Sequence, residues 1–238
     1  MSFGTDAGRG PAANAGFDDG PVLAVLENPT EVAILESMST SQGTKLAVIG
    51  TAGRGDDAPR INRALYVQMA VALKQVLVQV GPISRLVSGG AAVADHLAVG
   101  FFLRDLVPAL SLHLPASYSR AAREYVEPYP KSAGSISNYW HREFSRKCGG
   151  NSLNSIYEAL SKPGCSHKIY MGFDLRNAGI AEEADAAVAF TFGADAALKP
   201  GGTWGTMEQC LRREIPTYHV DLHTMKIYSP AGSSPVGR

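Results

Sequence analysis

Short apolar runs that end at glycine or proline alternate along this chain with segments of helical periodicity. KLAVIG at 45–50 is typical of a strand buried on both faces of a sheet, because its apolar residues are continuous. The segment 60–80 that follows has apolar residues at every third or fourth position, which indicates a helix with one buried face. The alternation predicts an α/β fold, a Rossmann-like open parallel sheet with helices on both faces.

We expect about five strands in this sheet. The predicted strands cover residues 45–50, 85–90, 110–116, 186–192 and 215–222. The predicted helices cover residues 60–80, a segment around Leu97, residues 176–183 and a segment that ends at Arg213. We divide the chain into a flexible leader and N-terminal arm at 1–43, a ligand-binding domain at 44–228 and a flexible tail at 229–238. Residues 130–170 interrupt the alternation, and we interpret them as an inserted lid-like segment.

The composition excludes several classes of protein. Hydrophobic residues make up 45% of the chain and charged residues 18%, which argues against intrinsic disorder. The formal net charge is zero, so the chain has no overall basic field that would attract nucleic acid or an anionic membrane. No segment approaches the roughly 18 consecutive apolar residues of a membrane span. The three cysteines are too few for a disulfide framework, and we expect a soluble, cytoplasmic protein.

Glycine clusters follow three of the predicted strands, at the edge where open parallel sheets bind ligands. They are Gly50-Thr51-Ala52-Gly53, Ser88-Gly89-Gly90 and Pro200-Gly201-Gly202. Glycine lets the backbone approach a ligand closely, and the N-terminus of a following helix favours an anion. Each cluster could therefore cradle a phosphate, or it could only form a tight turn between strand and helix. None of them follows the Walker pattern, and the first lacks Gly-x-Gly-x-x-Gly, which argues against a dinucleotide dehydrogenase.

Aromatic side chains offer further contacts to a ligand. Trp204 and Tyr118 could stack on a nucleobase, or they could belong to the hydrophobic core. Tyr139 and His141 could reach the ligand if residues 130–170 fold over the pocket, or they could lie on a solvated helix face.

We expect no metal ion and no other cofactor. Several residues are of the types that bind zinc, but their spacing in the sequence is not that of a zinc site. They are His141, Cys148, Cys165 and His167.

Five segments resemble, in this order, the SLOG superfamily: VIGTAGRGD (48–56), VSGGAAVADHLA (87–98), LPAS (114–117), RNAGIAEEADAAVAF (176–190) and PGGTWGTMEQ (200–209). This superfamily includes the LOG phosphoribohydrolases that activate cytokinins, the DNA-processing protein DprA, and small Rossmann-like proteins that are often phage-encoded. The resemblance covers roughly residues 45–127 and 172–222. It implies a small-molecule nucleotide or nucleotide derivative as the ligand, and it suggests a homodimer.

With this resemblance, the glycine clusters and their neighbours become candidate nucleotide-binding residues. Asp95 could meet a ribose hydroxyl or form an ion pair, and Ser88 could bind phosphate or only shape its turn. The candidates are Gly50, Thr51, Gly53, Arg54, Ser88, Gly89, Gly90, Asp95, Asn177, Gly201, Gly202, Thr203, Gly205 and Thr206.

The resemblance also implies two catalytic residues. LOG enzymes carry an arginine nine positions before the aspartate of an Ala-Asp pair, and Arg176 stands nine positions before Asp185. They also carry Pro-Gly-Gly-x-Gly-Thr-x-x-Glu with a catalytic glutamate at its end. Here the motif contains the extra residue Trp204, and the final position holds Gln209, with Glu208 one step earlier. Arg176 and Glu208 are therefore the candidate catalytic residues.

These residues suit cleavage of an N-glycosidic bond, in which positive charge develops on the sugar and a carboxylate can stabilise it. Glu208 would supply the carboxylate and Arg176 would hold the phosphate or sugar, although Glu208 could instead complement the helix dipole. We therefore expect hydrolysis or transfer at the N-glycosidic bond of a nucleotide. One alternative is a non-catalytic nucleotide sensor or sequestering protein with a role in defence or in a phage. The other is DprA-like binding of single-stranded DNA, which the neutral net charge disfavours.

Overall fold

The computed structural model describes residues 39–193 and 201–230. The strands are β1 (Ser39–Gly50), β2 (Ile83–Ser88), β3 (Leu110–Leu114), β4 (Tyr118–Ser119), β5 (Glu124–Tyr125), β6 (Cys165–Ile169), β7 (Ala186–Thr191), β8 (Thr217–Asp221) and β9 (Lys226–Tyr228). The α-helices are α1 (Arg63–Val80), α2 (Ala94–Leu103), α3 (Ala133–Cys148), α4 (Ser152–Ser161), α5 (Phe173–Glu183) and α6 (Gly202–Arg212). A 3₁₀ helix spans Gly55–Arg60.

Within the described residues, seven strands form one sheet in the order β6-β3-β2-β1-β7-β8-β9. Neighbouring strands are parallel except for β8 and β9. The chain winds outward from β1 through β2, β3 and β6, and then returns to the other side of β1 with β7. The order of the strands therefore reverses between β1 and β7, and such a switch point leaves a crevice beyond the carboxyl ends of the two strands.

Helices cover both faces of the sheet because alternate residues of its central strands point to opposite sides. Leu46 and Val48 of β1 face the larger core, which α1, α2, α3 and α4 complete. Ala47 and Ile49 face a smaller core, which is formed with α5 and α6. The predicted α/β fold with an open, mostly parallel sheet is thus confirmed.

The predicted number of strands is wrong, since the sheet has seven strands and not five. The two missed strands are β6 and β9, which lie at the two edges of the sheet. Four of the five residues of β6 are exposed, so this strand lacks the continuous apolar run of a strand buried on both faces. β9 has only three residues.

Residues 130–170, which we interpreted as an inserted lid-like segment, contain α3, α4 and the edge strand β6. Polar residues inside this segment are buried and bonded, which hides its helical periodicity in the sequence. The amide group of Asn138 in α3 is fully buried and bonds to both the N–H and the carbonyl of Tyr125, at 2.9 Å each. The segment is therefore packed against the domain as regular structure.

Two predicted boundaries also differ from the structure. Residues 39–43 were assigned to the N-terminal arm, but they begin β1. Gly202 was assigned to the third glycine cluster between a strand and a helix, but it is already the first residue of α6. Most of the leader, Pro200 of the third glycine cluster and most of the tail lie outside the described residues. Among the helices that the structure describes, none has the length and apolar character to cross a membrane.

Candidate functional site

A cleft of about 510 Å³ opens at the switch point between β1 and β7. The segment after β1 and the N-terminal turn of α5 line it, together with the end of β7 and the N-terminal turns of α6. The fold thus brings together segments that are far apart in the sequence. The predicted site residues that line the cleft are Gly50, Thr51, Arg54, Asp95, Arg176, Asn177, Gly201, Gly202, Thr203, Trp204 and Thr206.

The cluster Ser88-Gly89-Gly90 does not line the cleft. Its hydroxyl and N–H groups form hydrogen bonds within the protein instead. The carboxylate of Asp95 accepts a hydrogen bond from the Gly89 N–H at 3.1 Å, and the hydroxyl of Ser88 donates to the Asp95 carbonyl at 2.9 Å. The Gly90 N–H in turn donates to the Ser88 hydroxyl at 3.1 Å. We predicted that this cluster either cradles a phosphate or only forms a tight turn. In the structure its anionic partner is the carboxylate of Asp95.

Asp95 also holds Arg176. Nη1 of Arg176 lies 3.0 Å from the Asp95 carboxylate, and both side chains are buried. Burial raises the pKa of Asp95, while the positive charge of Arg176 and the hydrogen bonds to the carboxylate oppose that rise. The pair fixes the orientation of Arg176 in the wall of the cleft, where its Nε makes no hydrogen bond within the described residues.

Glu208 does not line the cleft. It lies one helical turn beyond Trp204 on α6, farther along the helix than the N-terminal turns that line the cleft. Its carboxylate pairs with Arg212 one turn later, at 2.7 Å, and its side chain is 44% exposed. Of the two candidate catalytic residues, Arg176 lies in the cleft wall, whereas Glu208 is not part of the lining and pairs with Arg212.

Arg54 reaches the cleft from the segment after β1, and aromatic rings hold its guanidinium. Its central carbon lies 5.1 Å from the ring centroid of Phe173 and 6.0 Å from that of Trp140. The pKa of Arg54 is lowered, first by burial and then by the positive charge of Arg176. In the part of the chain that the structure describes, no carboxylate forms an ion pair with Arg54.

Three of the aromatic or histidine residues predicted to contact the ligand lie elsewhere. The hydroxyl of Tyr118 donates to the carbonyl of Leu153, and Tyr139 is exposed on α3. His141 is fully buried, with Nε2 3.0 Å from the Gly90 carbonyl and Nδ1 3.0 Å from the Ser152 hydroxyl. Tyr118 and His141 thus stabilise the fold, and Trp204 is the member of the predicted group that lines the cleft.

Gly53 and Gly205 are also absent from the lining of the cleft. The Gly53 N–H donates to the Thr51 hydroxyl at 3.0 Å and so stabilises the turn after β1. Gly205 lies within α6, and its N–H donates to the Gly201 carbonyl.

Several carboxylates of the cleft were not predicted from the sequence. Asp56, Asp57 and Asp174 all line it, and Asp57 accepts a hydrogen bond from the Thr51 hydroxyl at 2.6 Å. Their positions beside the first glycine cluster and at the start of α5 could have suggested a role. The aromatic residues Phe173 and Phe192 complete this wall.

A hydrogen-bonded pair at the end of β7 was not predicted either. The hydroxyl of Thr191, which lines the cleft, lies 2.7 Å from Nε2 of His219 on β8. Burial lowers the pKa of His219, and this effect outweighs the negative charge of Asp221. The sequence does not predict this contact, because it depends on the register between β7 and β8. In that register Ala189 lies opposite His219 and Thr191 lies opposite Asp221.

The described residues contain no group of three or more His, Cys, Asp or Glu side chains that could hold a metal ion. His141, Cys148, Cys165 and His167, considered above as residues of zinc-binding type, do not form such a group. Burial raises the pKa of the Cys165 thiol to about 11 and that of the Cys210 thiol to about 11, which keeps both protonated near neutral pH.

No protein-family model matches the chain. A relative is the uncharacterized protein R261 of Acanthamoeba polyphaga mimivirus, which is 36% identical over 153 residues. The match covers 62% of this chain and 82% of the mimivirus protein. The chain belongs to the family of this mimivirus protein. The family relationship brings no activity with it, because the description of that relative gives none. The geometry of the cleft is therefore the basis for proposing a function.

Proposed function

We propose that this protein binds a nucleotide or a nucleotide derivative in the cleft at the switch point. The observation that carries the proposal is the position of the cleft, beyond the carboxyl ends of β1 and β7, where open α/β sheets bind their ligands. The resemblance to the SLOG superfamily, whose members bind nucleotides at this edge, supports the same ligand class.

The chemistry of the lining fits the parts of a nucleotide. Among the described residues, no side chain caps the N-terminus of α6, so the first N–H groups of this helix can bind an anion. The indole of Trp204 offers an apolar face to a base. The carboxylates of Asp56 and Asp174 are exposed in the cleft, where they can accept hydrogen bonds from sugar hydroxyls.

The resemblance to LOG enzymes extends the proposal to hydrolysis or transfer at the N-glycosidic bond. Such a reaction needs a carboxylate beside the sugar, and Glu208 lies outside the cleft. In our proposal Asp56, Asp57 or Asp174 takes this part, while Arg176 holds the phosphate or the sugar. Departure of the base would leave positive charge on the sugar, which a carboxylate in the cleft would stabilise until water adds.

The second candidate is a nucleotide sensor or sequestering protein without catalysis. Glu208 stands next to the position of the catalytic glutamate of LOG enzymes, and its absence from the lining of the cleft and its ion pair with Arg212 favour this alternative. Both candidates share the ligand class and the cleft, and they differ only in turnover.

The test combines product analysis with ligand-induced stabilisation. The purified protein is incubated with nucleoside monophosphates, NAD and cyclic dinucleotides, and chromatography and thermal unfolding are recorded for each. Free base in the product supports the hydrolase, and an increase in melting temperature without product supports the sensor. Trp204→Ala should abolish either effect, whereas the control Leu211→Ala, on the exposed side of the same helix, should retain it. Failure of every ligand to stabilise the protein would contradict the proposal.

A further inference from the structure

A hydroxyl group and an imidazole form a short contact at the wall of the cleft. Oγ1 of Thr191 lies 2.7 Å from Nε2 of His219, an ordinary length for a hydrogen bond of a hydroxyl group. The Gly193 carbonyl is 3.4 Å from the same hydroxyl oxygen, so that contact is the weaker of the two. Thr191 lines the cleft, whereas His219 is buried and is not part of the lining. The imidazole therefore supports the hydroxyl from inside the fold.

Two neighbours set the position and the charge of this imidazole. Tyr228 of β9 lies opposite His219 in the register, and the two rings stack with their centroids 5.8 Å apart. Burial lowers the pKa of His219, so the ring is neutral near neutral pH and one of its nitrogens can accept a proton. The negative charge of Asp221 acts in the opposite direction and stabilises the imidazolium that forms when the proton is accepted.

The carboxylate of Asp221 is itself held in place. It accepts hydrogen bonds from the N–H groups of Gly193 and His223 at 3.0 Å each and from the Thr224 hydroxyl at 2.8 Å. Burial acts to raise the pKa of Asp221, but these hydrogen bonds outweigh it and keep the group ionised. The hydroxyl, the imidazole and this carboxylate thus supply a nucleophile, its base and a compensating negative charge.

Donors for the negative charge that develops in acyl transfer lie on the same side of the sheet. Alternate residues of β7 point to opposite faces, so Thr191 faces the same side as Ala189, which packs in the smaller core with α6. The first turn of α6 lines the same cleft, and among the described residues no side chain caps it. Its N–H groups can therefore stabilise an oxyanion formed beside the hydroxyl.

We propose that Thr191 and His219 are a nucleophile and its general base, and that the cleft cleaves a carboxylic ester. Oγ1 of Thr191 bonds to the acyl carbon while its proton passes to Nε2 of His219. The C–O bond of the ester then breaks, and the leaving oxygen takes that proton. Water adds to the acyl-threonine and gives a proton to His219, and the acid leaves as Oγ1 regains the proton. This activity goes beyond the proposed function, because it needs no N-glycosidic bond.

The experiment uses para-nitrophenyl acetate, an activated ester without a nucleotide, and follows the release of para-nitrophenolate by absorbance. Thr191→Val and His219→Gln should each lower the rate by roughly a hundredfold, which is the lower end of what general-base catalysis contributes. Thr191→Ser should keep the activity, since it retains a hydroxyl group. The control His167→Gln removes an exposed imidazole of β6 and should keep the wild-type rate. Thermal unfolding of each variant separates the loss of a reacting group from the loss of the fold.

Mass spectrometry of peptides from the acid-quenched reaction should locate the acetyl group on Thr191. Low rates in both Thr191→Val and His219→Gln, with activity in Thr191→Ser, support the inference. Hydrolysis by the wild type that is no faster than in buffer overturns it, as does the wild-type rate in either of the two variants, or acetyl groups on other residues only. These results leave the nucleotide site standing, because ligand binding tests that site separately. Ester cleavage through Thr191 in a protein that no nucleotide stabilises would contradict the proposed function alone.

Discussion

At the scale of single residues, Gly89 shows how tightly the wall of the cleft is built. A Cβ atom at this position would lie 1.4 Å from Nη1 of Arg176 and 2.7 Å from the carboxylate of Asp95. Any side chain here must therefore separate the buried ion pair. Since a buried pair that loses its geometry leaves charges without compensation, the cost is large.

We predict that Gly89→Ala lowers the free energy of unfolding by more than about 2 kcal/mol, because it disrupts this ion pair. Equilibrium unfolding in urea measures the effect. The matched control is Gly205→Ala in α6, where an added Cβ meets no atom within 4 Å. This control should gain about 0.5–1 kcal/mol from the higher helix propensity of alanine. Equal stability of Gly89→Ala and the wild type would contradict the described packing.

A second prediction at the scale of single residues concerns His141 and the dependence of the free energy of unfolding on pH. Burial lowers its pKa from 6.5 to about 4, although the Gly90 carbonyl opposes the shift. Between these two values the unfolded chain binds a proton that the folded protein does not. The free energy of unfolding should therefore decrease by about 3 kcal/mol for this group as the pH falls from about 6.5 to about 4, and it should not change with this group above that range.

Urea unfolding at several pH values between 7 and 4 measures this slope. His141→Gln is less stable at pH 7 because it loses buried contacts, but its stability should depend less on pH. His167→Gln, which changes an exposed histidine of β6, should keep the slope of the wild type. A slope that His141→Gln leaves unaltered would show that His141 is not buried in its neutral form.

Some residues that line the cleft could be predicted from the sequence because of their position directly after a strand. Gly50, Thr51 and Arg54 follow a strand directly, so the rule that parallel sheets bind ligands at their carboxyl edge was sufficient. The absence of Glu208 from the lining depends on how α6 packs in the fold, and the role of Asp95 depends on a contact with Arg176 across 81 residues. Neither is encoded in a local pattern.

At the scale of elements, strands buried on both faces were predictable and edge strands were not. β1 and β7 are apolar throughout their buried parts, which the sequence displays directly. β6 is exposed, and α3 buries Asn138 and His141, which are polar. Because these buried polar groups are satisfied by contacts distant in the sequence, their burial could not be inferred before the fold was known.

The contacts of α3 predict its dynamics. His141 and Asn138 bond it to the Gly90 carbonyl and to Tyr125, and Lys147 donates to the Ala58 carbonyl. We therefore expect the amides of α3 to exchange with deuterium as slowly as those of α1, both with and without a nucleotide. Hydrogen exchange followed by mass spectrometry measures this. Fast exchange that becomes slow when a ligand binds would instead support the lid motion that the sequence suggested.

At the scale of the whole molecule, topology explains the site better than any single motif. The winding of the chain places the segment after β1 and the start of α6 on either side of one cleft, although about 150 residues separate them. The chain shares its family with the mimivirus protein, and the match covers 82% of that protein. The neutral net charge argues against a general affinity for nucleic acid.

The most direct test of a nucleotide site at the switch point is to map a titrated nucleoside monophosphate on the backbone amides of the ¹⁵N-labelled protein by NMR. We predict that the largest chemical-shift changes occur in the segment after β1, at Thr191 and Phe192, at the start of α5 and in the first turns of α6. The edge strand β6 and the exposed face of α3 should change little. Shifts concentrated on β6 or on the outer face of α3, with none at the carboxyl ends of β1 and β7, would contradict the proposed site.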